Sequence, residues 1–467
     1  MSETLFVSPG QPLHGEVGGK SLLRLPGDKS ISHRAALFSS LAEGESKIEN
    51  FQLSGVIQVM LEALNKLGVS WKLTDTILHV EGNNLISGRF EKKNIDEINI
   101  NCGNSATTMR LLAGALSAWG IPARLDGTPG LRRRPMQRII EPLSRMGVNI
   151  LSNEGFAPLI IQPGKRPLGA IDYEMAIASA QVKSCLLLAG LMADGIMIIR
   201  EPAASRDHSE RMLINMGVAI KRYEIPVNRE DESDFNSIYV TELIPNLQKN
   251  LHPLKMVIPG DFSAASFLIV AALIVPGSEI IIREVGLNPT RIGLLETLLQ
   301  MGADISISNI SENQGEPIGD INVRHSELHA VEISGSTVVR MIDEFPVFSV
   351  AAAYATGLTR VSDAIELRQK ESDRIKALCQ EMTKLEVDID ETPDGFEIQG
   401  GKTPSANVVY SHGDHRLAMS LAIAGLAAQS TVSIEDAEII GESFPNFVPV
   451  LQGLGTNIEL GSAIDEQ

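Results

Sequence analysis

Long apolar stretches rich in Ala, Leu and Gly recur six times along the chain, at Arg34–Ala42, Arg110–Ala118, Lys183–Ala193, Ser266–Val275, Phe348–Ala355 and Leu417–Ala427. A helix lying on a core shows one apolar stripe, whereas these are apolar on nearly every side, so the pattern predicts helices buried on all faces. Several lead into short β-branched segments, Ser46–Phe51, Ile196–Arg200, Glu279–Arg283 and Thr431–Glu435, two of them alternating with period two. These predict half-buried strands. A helix-like end with a glycine turn feeding a strand also recurs six times, at Asn65–Val69, Ser144–Val148, Ile214–Val218, Leu299–Ala303, Thr383–Val387 and Gln452–Thr456. Glycine there suits the left-handed residue that ends a helix, although Glu386 shows that the rule is loose.

The repetition also works at the scale of halves. Leu25-Pro26-Gly27-Asp28-Lys29-Ser30 returns as Ile258-Pro259-Gly260-Asp261-Phe262-Ser263, about half of the 467 residues later. A duplicated architecture follows: six strand–helix units, three in each of two domains, with helices inside and sheets outside. An ordinary open α/β sheet remains the alternative, because periodicity alone does not say which element faces inward. The expected domains are 27–257 and, as the second, 1–26 with 258–467. The most loop-like polar segment, Tyr223–Asn250, falls just before the second half and is expected to contain the main boundary.

Composition narrows the function classes. Two domains of this size bury substantial cores. A net charge of −18 disfavours nucleic-acid binding, which rests on basic surface. No apolar run approaches a membrane span, and Met1–Lys20 lacks the pattern of a secretion signal. Cys102, Cys185 and Cys379 form no metal spacing and cannot all pair, so a reducing, cytoplasmic setting is expected.

The candidate chemistry sits in loops that precede the apolar helices. Pro26-Gly27-Asp28 is a turn, Lys29 stands at it, and Arg34 lies in the first turns of the helix, where a cation opposes the dipole. That placement points to a bound anion, with a solvated cap as the plain alternative. Asn101–Thr108 is a second small-residue loop, and Leu131-Arg132-Arg133-Arg134-Pro135-Met136 a basic run in an acidic chain. Ala178–Lys183 opens a buried helix with hydroxyl, amide and amine groups, while Ser205–Glu210 is a charged loop. In the second half, Arg340–Pro346 places Asp343 and Glu344 before an apolar helix, Arg368–Arg374 mixes cations and acids, and His412-Gly413-Asp414-His415-Arg416 precedes the last one. Each of these also reads as helix capping or a solvated face. Together they supply many cations, amides and hydroxyls with few acids, and no nucleotide fingerprint, which suits two small polyanions and one acid–base step.

Eight ordered strings across nearly the whole chain carry a more specific resemblance: 27–34, 103–107, 133–136, 179–183, 343–346, 370–374, 414–419 and 443–445. They resemble the 3-phosphoshikimate 1-carboxyvinyltransferase (EPSP synthase) family, whose enolpyruvyl transferase fold is a two-domain inside-out α/β barrel of six units. The resemblance implies transfer of the enolpyruvyl group of phosphoenolpyruvate to the 5-hydroxyl of shikimate 3-phosphate, in chorismate and aromatic amino-acid synthesis. It implies no cofactor or metal, and a monomer is expected. By the same resemblance, Lys29, Ser30, Arg34, Ser179, Ala180, Gln181, Arg206, Asp343 and Lys370 meet shikimate 3-phosphate. Lys29, Ala106, Arg134, Gln181, Arg374 and Arg416 meet phosphoenolpyruvate. Asp343 is the base for the hydroxyl, Glu371 the acid for the methylene carbon, and Lys29 touches both substrates.

Three departures stand out. Relatives usually carry Asp where this chain has Leu53-Ser54-Gly55-Val56-Ile57, and many have Lys where Glu442 stands. Ala106 replaces a glycine of glyphosate-sensitive relatives, and with Ser179–Lys183, Arg206–Glu210 and Asn288-Pro289-Thr290-Arg291 it is similar to the glyphosate-tolerant class II subgroup. The rival readings are the sister enolpyruvyl transferase acting on UDP-N-acetylglucosamine, which normally has a reactive loop Cys, and a silent anion-binding relative.

Overall fold

The structure is a computed structural model that describes residues 3–83, 97–162, 164, 166–226, 237–245 and 250–462. The chain divides into two compact units, one formed by 1–28, 259–312 and 317–467, the other by 29–258 and 313–316.

Each unit is built from three copies of one motif. The motif ends in a four-stranded sheet with one parallel pair and two antiparallel pairs, and six such sheets occur among the described residues. Each unit thus carries three small four-stranded sheets among the described residues. Inner positions of a strand such as Met197–Glu201 alternate buried and half-buried, as a sheet with one covered face must.

The six apolar stretches form the helices Lys29–Leu41, Ala106–Trp119, Ala180–Gly190, Phe262–Ile274, Phe345–Tyr354 and His415–Gly425. All 13 residues of Phe262–Ile274 are buried. Each Leu, Ile or Phe among them contributes about 1.5–3 kcal/mol by leaving water. In one unit Phe262–Ile274, Phe345–Tyr354 and His415–Gly425 pack against one another. In the other, Ala106–Trp119 lies along Ala180–Gly190 so closely that a Cβ on Gly114 would stand 2.2 Å from the Cys185 carbonyl oxygen.

The recurrent turn is left-handed wherever it occurs. Gly68, Gly147, Gly217, Gly302 and Gly455 have φ between +74° and +101°, and Glu386 takes φ +61° at the corresponding place. Much of Tyr223–Asn250 departs from the loop expected there: Ala219–Pro226 and Ser237–Ile244 form an antiparallel pair. Residues 227–236 and 246–249 of that segment lie outside the described residues. Apart from the short stretch 313–316, the crossings between units fall instead at 28/29 and 258/259. There the two halves of the sequence repeat pair with each other, Asp28 N–H donating to Pro259 O at 2.9 Å and Asp261 N–H to Pro26 O at 2.8 Å.

Candidate active site

In the unit formed mainly by 29–258, the loops that precede the buried helices carry the predicted cations and hydroxyls. Lys29 opens the helix Lys29–Leu41. Arg206 donates to Ser30 Oγ at 3.4 Å. Arg34 is buried and turns its guanidinium inward, to Ser209 Oγ (2.8 Å), Ser184 Oγ (2.9 Å) and Ser30 O (3.0 Å). It therefore braces three segments that surround Ser30. Two histidine contacts reinforce the same corner, His33 Nδ1 with Lys29 O at 3.2 Å and Nε2 with Val56 O at 3.1 Å. Burial outweighs those two carbonyls and, with the charges of Lys29 and Arg34 adding to it, holds His33 down to about 4. The imidazole is neutral at pH 7 and donates through one nitrogen only.

Gln181 is held against the helix that Ala106 opens, through a residue that the sequence reading left out. On the helix Ala106–Trp119 every residue is buried except Thr107 and Arg110. Those two hold Gln181: its Nε2 donates to Thr107 Oγ1 at 2.8 Å, and Arg110 donates to its Oε1. Arg110 also donates to Pro135 O at 3.0 Å, beside Arg134. The Ser105 side chain caps this helix by accepting from Thr108 N–H, while Ser179, at the cap of Ala180–Gly190, accepts no such bond. Its hydroxyl is thus not used as a cap. Of the basic run, Arg132 is bound by both oxygens of Asp126 at 2.8 Å.

Behind Ser179 and Arg206 lies a buried charge cluster that the sequence did not announce. Lys183 Nζ meets Glu201 Oε2 at 2.7 Å, Glu210 Oε1 at 2.8 Å and Ser205 O at 3.2 Å. It ties the helix that follows Ser179 to the loop carrying Arg206.

In the other unit, three helix N-termini meet, and their residues form one ionic cluster. Asp343 lies just before Phe345–Tyr354, Lys370 and Glu371 before Arg374–Lys384, and Asp414 caps His415–Gly425 by accepting from Arg416 N–H at 2.9 Å. Arg374 is the hub: buried, it reaches Asp414 Oδ2 at 2.6 Å, Glu371 Oε2 at 2.6 Å and Asp343 Oδ1 at 3.3 Å. Burial alone would weaken its hold on the proton, but Asp414, Glu371 and Asp343 together raise it, so Arg374 stays charged. Lys370 Nζ stands 3.4 Å from Asp343 Oδ1, and Arg416 donates to Asp343 O at 3.1 Å. Asp343, Lys370, Glu371, Arg374 and Arg416 are therefore neighbours. Positive helix ends and guanidinium forks suit carboxylate and phosphate groups, and two carboxylates beside them can exchange protons.

Cys102 is fully buried, and burial, with Asp126 adding to it, pushes its thiol up to about 12. A thiol so held is not a nucleophile. Among the described residues no helix is long and apolar enough to cross a membrane.

A family profile described as EPSP synthase (3-phosphoshikimate 1-carboxyvinyltransferase) matches residues 7–451. A 3-phosphoshikimate 1-carboxyvinyltransferase of Carboxydothermus hydrogenoformans is 46% identical over 439 residues, covering 94% of this chain and 97% of the relative. One from Citrifermentans bemidjiense is 42% identical over 450 residues, 96% of this chain and 98% of the relative. A solved EPSP synthase from Acinetobacter baumannii superposes with a TM-score of 0.82 at 35% identity, covering 98% of this chain and all of that one. With a family match over nearly its whole length, close relatives across the same span and the same fold, the chain belongs to the EPSP synthase family.

Proposed function

We propose that this chain transfers the enolpyruvyl group of phosphoenolpyruvate to the 5-hydroxyl of shikimate 3-phosphate and releases phosphate, a step of the shikimate pathway. The observation that carries the reading is the convergence of Asp343 and Glu371 on one buried guanidinium, Arg374, with Lys370 and Arg416 alongside. In this reading the 5-hydroxyl oxygen bonds to C2 of phosphoenolpyruvate as its proton passes to Asp343. Glu371 delivers a proton to C3, which becomes a methyl group. The C2–O bond to phosphate then breaks, phosphate departs with the electron pair and the proton held by Asp343, and Glu371 takes a proton back from the methyl group, restoring the double bond. Arg374 donates to Glu371 Oε2 at 2.6 Å. The negative charges of phosphoenolpyruvate compete for Arg374 and Arg416, and that competition lets Glu371 carry its proton.

Shikimate 3-phosphate is held by Lys29, Ser30, Arg34, Ser179, Ala180, Gln181, Arg206, Asp343 and Lys370. Arg34 acts by bracing Ser30. Phosphoenolpyruvate is bound by Lys29, Ala106, Arg134, Gln181, Arg374 and Arg416. The chain works as a cytoplasmic monomer and is of the glyphosate-tolerant class II type, through the Cβ of Ala106. The buried thiol of Cys102 speaks against the sister reaction on UDP-N-acetylglucosamine. Phosphate release from phosphoenolpyruvate, measured with shikimate 3-phosphate and separately with UDP-N-acetylglucosamine, tests the reading. Turnover with the first alone is expected; turnover with the second, or with neither, overturns it.

A further inference from the structure

Arg291 sits among more carboxylates than any role above uses. It is 2% exposed, and an Asx turn presents it: Thr290 N–H and Oγ1–H both donate to Asn288 Oδ1, at 3.0 and 2.7 Å. Its Nε lies 3.2 Å from Asp28 Oδ2, and its Nη2 donates to Asp261 Oδ1 at 2.7 Å and to Ser263 Oγ at 2.9 Å. Ser263 Oγ–H in turn donates to Glu344 Oε1, which also has Arg416 Nη1 at 3.7 Å. Asp28 and Asp261 are the equivalent residues of the two sequence repeats, and their backbones already pair at the crossings. The packing there is close, since a Cβ on Gly260 would stand 2.6 Å from Leu25 Cδ2 and 3.2 Å from Glu284 O. One guanidinium thus joins the last residue before Lys29, the cap of Phe262–Ile274 and the residue after Asp343.

We infer that Arg291 is a positioning residue for the transfer reaction. Through Asp28 it fixes the peptide that presents Lys29, and through Ser263 and Glu344 it fixes the start of the helix that follows Asp343. It touches no substrate. A planar fork is needed, because two carboxylates and a hydroxyl are addressed from one side chain in fixed directions. The inference rests on the enolpyruvyl-transfer reading above.

The test compares wild type with Arg291→Gln, Arg291→Lys and Asp28→Asn. The kcat and the KM for shikimate 3-phosphate and phosphoenolpyruvate are measured by phosphate release, and the folded fraction by circular dichroism. Misplacement of a reacting group by about 1 Å costs on the order of 100-fold, so kcat per folded molecule should fall roughly 10–100-fold in Arg291→Gln and Asp28→Asn, with both KM values within about 3-fold. Arg291→Lys should recover part of the folded fraction but little of kcat. A role confined to stability lowers the melting temperature and leaves kcat per folded molecule within about two-fold, and that result overturns the inference. If Arg291→Gln does not fold, Asp28→Asn decides, since it removes one carboxylate and leaves Arg291 paired with Asp261. A wild-type protein that releases no phosphate overturns the functional reading and the inference with it; an active wild type with unaffected variants overturns the inference alone.

Discussion

Replacing Lys183 by Met should destabilise its unit in a way that acid partly repairs. Lys183, Glu201 and Glu210 have side chains exposed by 3%, 2% and 1%, so water does not screen the cluster. Met fills the volume of the Lys stem but leaves two carboxylates buried around an uncharged thioether. Removing one partner of a buried ion pair costs about 3–5 kcal/mol, because the charge left behind keeps its desolvation penalty. For a unit of this size each kcal/mol lowers the melting temperature by about 2–4 °C, which places the expected loss at roughly 6–20 °C near pH 7. The sign of the pH effect follows from proton binding. Burial already raises the Glu210 carboxyl, against the pull of Lys183, and loss of Lys183 raises it further. Between the ordinary carboxyl range and that higher folded value the native variant binds more protons than the unfolded chain. Its stability must therefore fall as pH rises through the window and recover as pH is lowered towards 5. Thermal unfolding followed by circular dichroism at pH 5.5, 7 and 8 measures both effects. A variant melting within about 2 °C of wild type at pH 7, or one whose deficit is the same at all three pH values, would refute the reasoning.

Asp343→Asn and Glu371→Gln should each lower turnover by roughly 10²–10⁴-fold with shikimate 3-phosphate binding retained in calorimetry; turnover within a few-fold of wild type removes that residue from proton transfer. His33 is neutral in the fold down to about pH 4, whereas its unfolded form charges near 6.5, so stability is retained above that value and lost as pH falls between the two. The loss amounts to about 3 kcal/mol, and denaturant titrations of His33→Gln should show a flatter dependence across that window. Ala106→Gly should tighten glyphosate inhibition by roughly ten- to a hundred-fold with little change in the KM for phosphoenolpyruvate, since an added carbon in a packed pocket costs about 1–3 kcal/mol. Equal glyphosate inhibition of both proteins would dismiss the steric role of the Ala106 methyl.

The helices were legible because burial on every side leaves a run of apolar letters that needs no partner to recognise. Phe262–Ile274 is the plainest case. The left-handed turns were legible through glycine, and Glu386 shows that the backbone position outlasts the residue that usually marks it. The pair Ala219–Pro226 and Ser237–Ile244 was hidden for the opposite reason. Ala219–Pro226 is an edge strand exposed at almost every position, so it carries no alternation to read. In the candidate site, the cations and acids that open helices could be named from local sequence. Arg110, Lys183 and Arg291 could not be given roles, because their partners lie far away in the chain, as Asp28 does from Arg291. Asp414 stood in a quoted motif, yet only the fold reveals that it holds Arg374.

The division of the chain also dictates an order of assembly on the ribosome. Strand Glu3–Ser8 is an interior strand whose two neighbours are Val432–Glu435 and Asn457–Ser462, with Leu5 opposite both Ile434 and Leu460. Strand Glu3–Ser8 therefore waits for partners that lie far along the chain. Meanwhile nearly all of the other unit, the continuous stretch 29–258, emerges before the second half is translated. During that interval Glu3–Ser8 presents two unpaired edges with Leu5 and Val7 uncovered, the kind of segment that recruits foreign strands. For a nascent chain of this architecture, the vulnerable period is set by the time needed to translate the second half, and slow decoding there would lengthen the exposure of Glu3–Ser8.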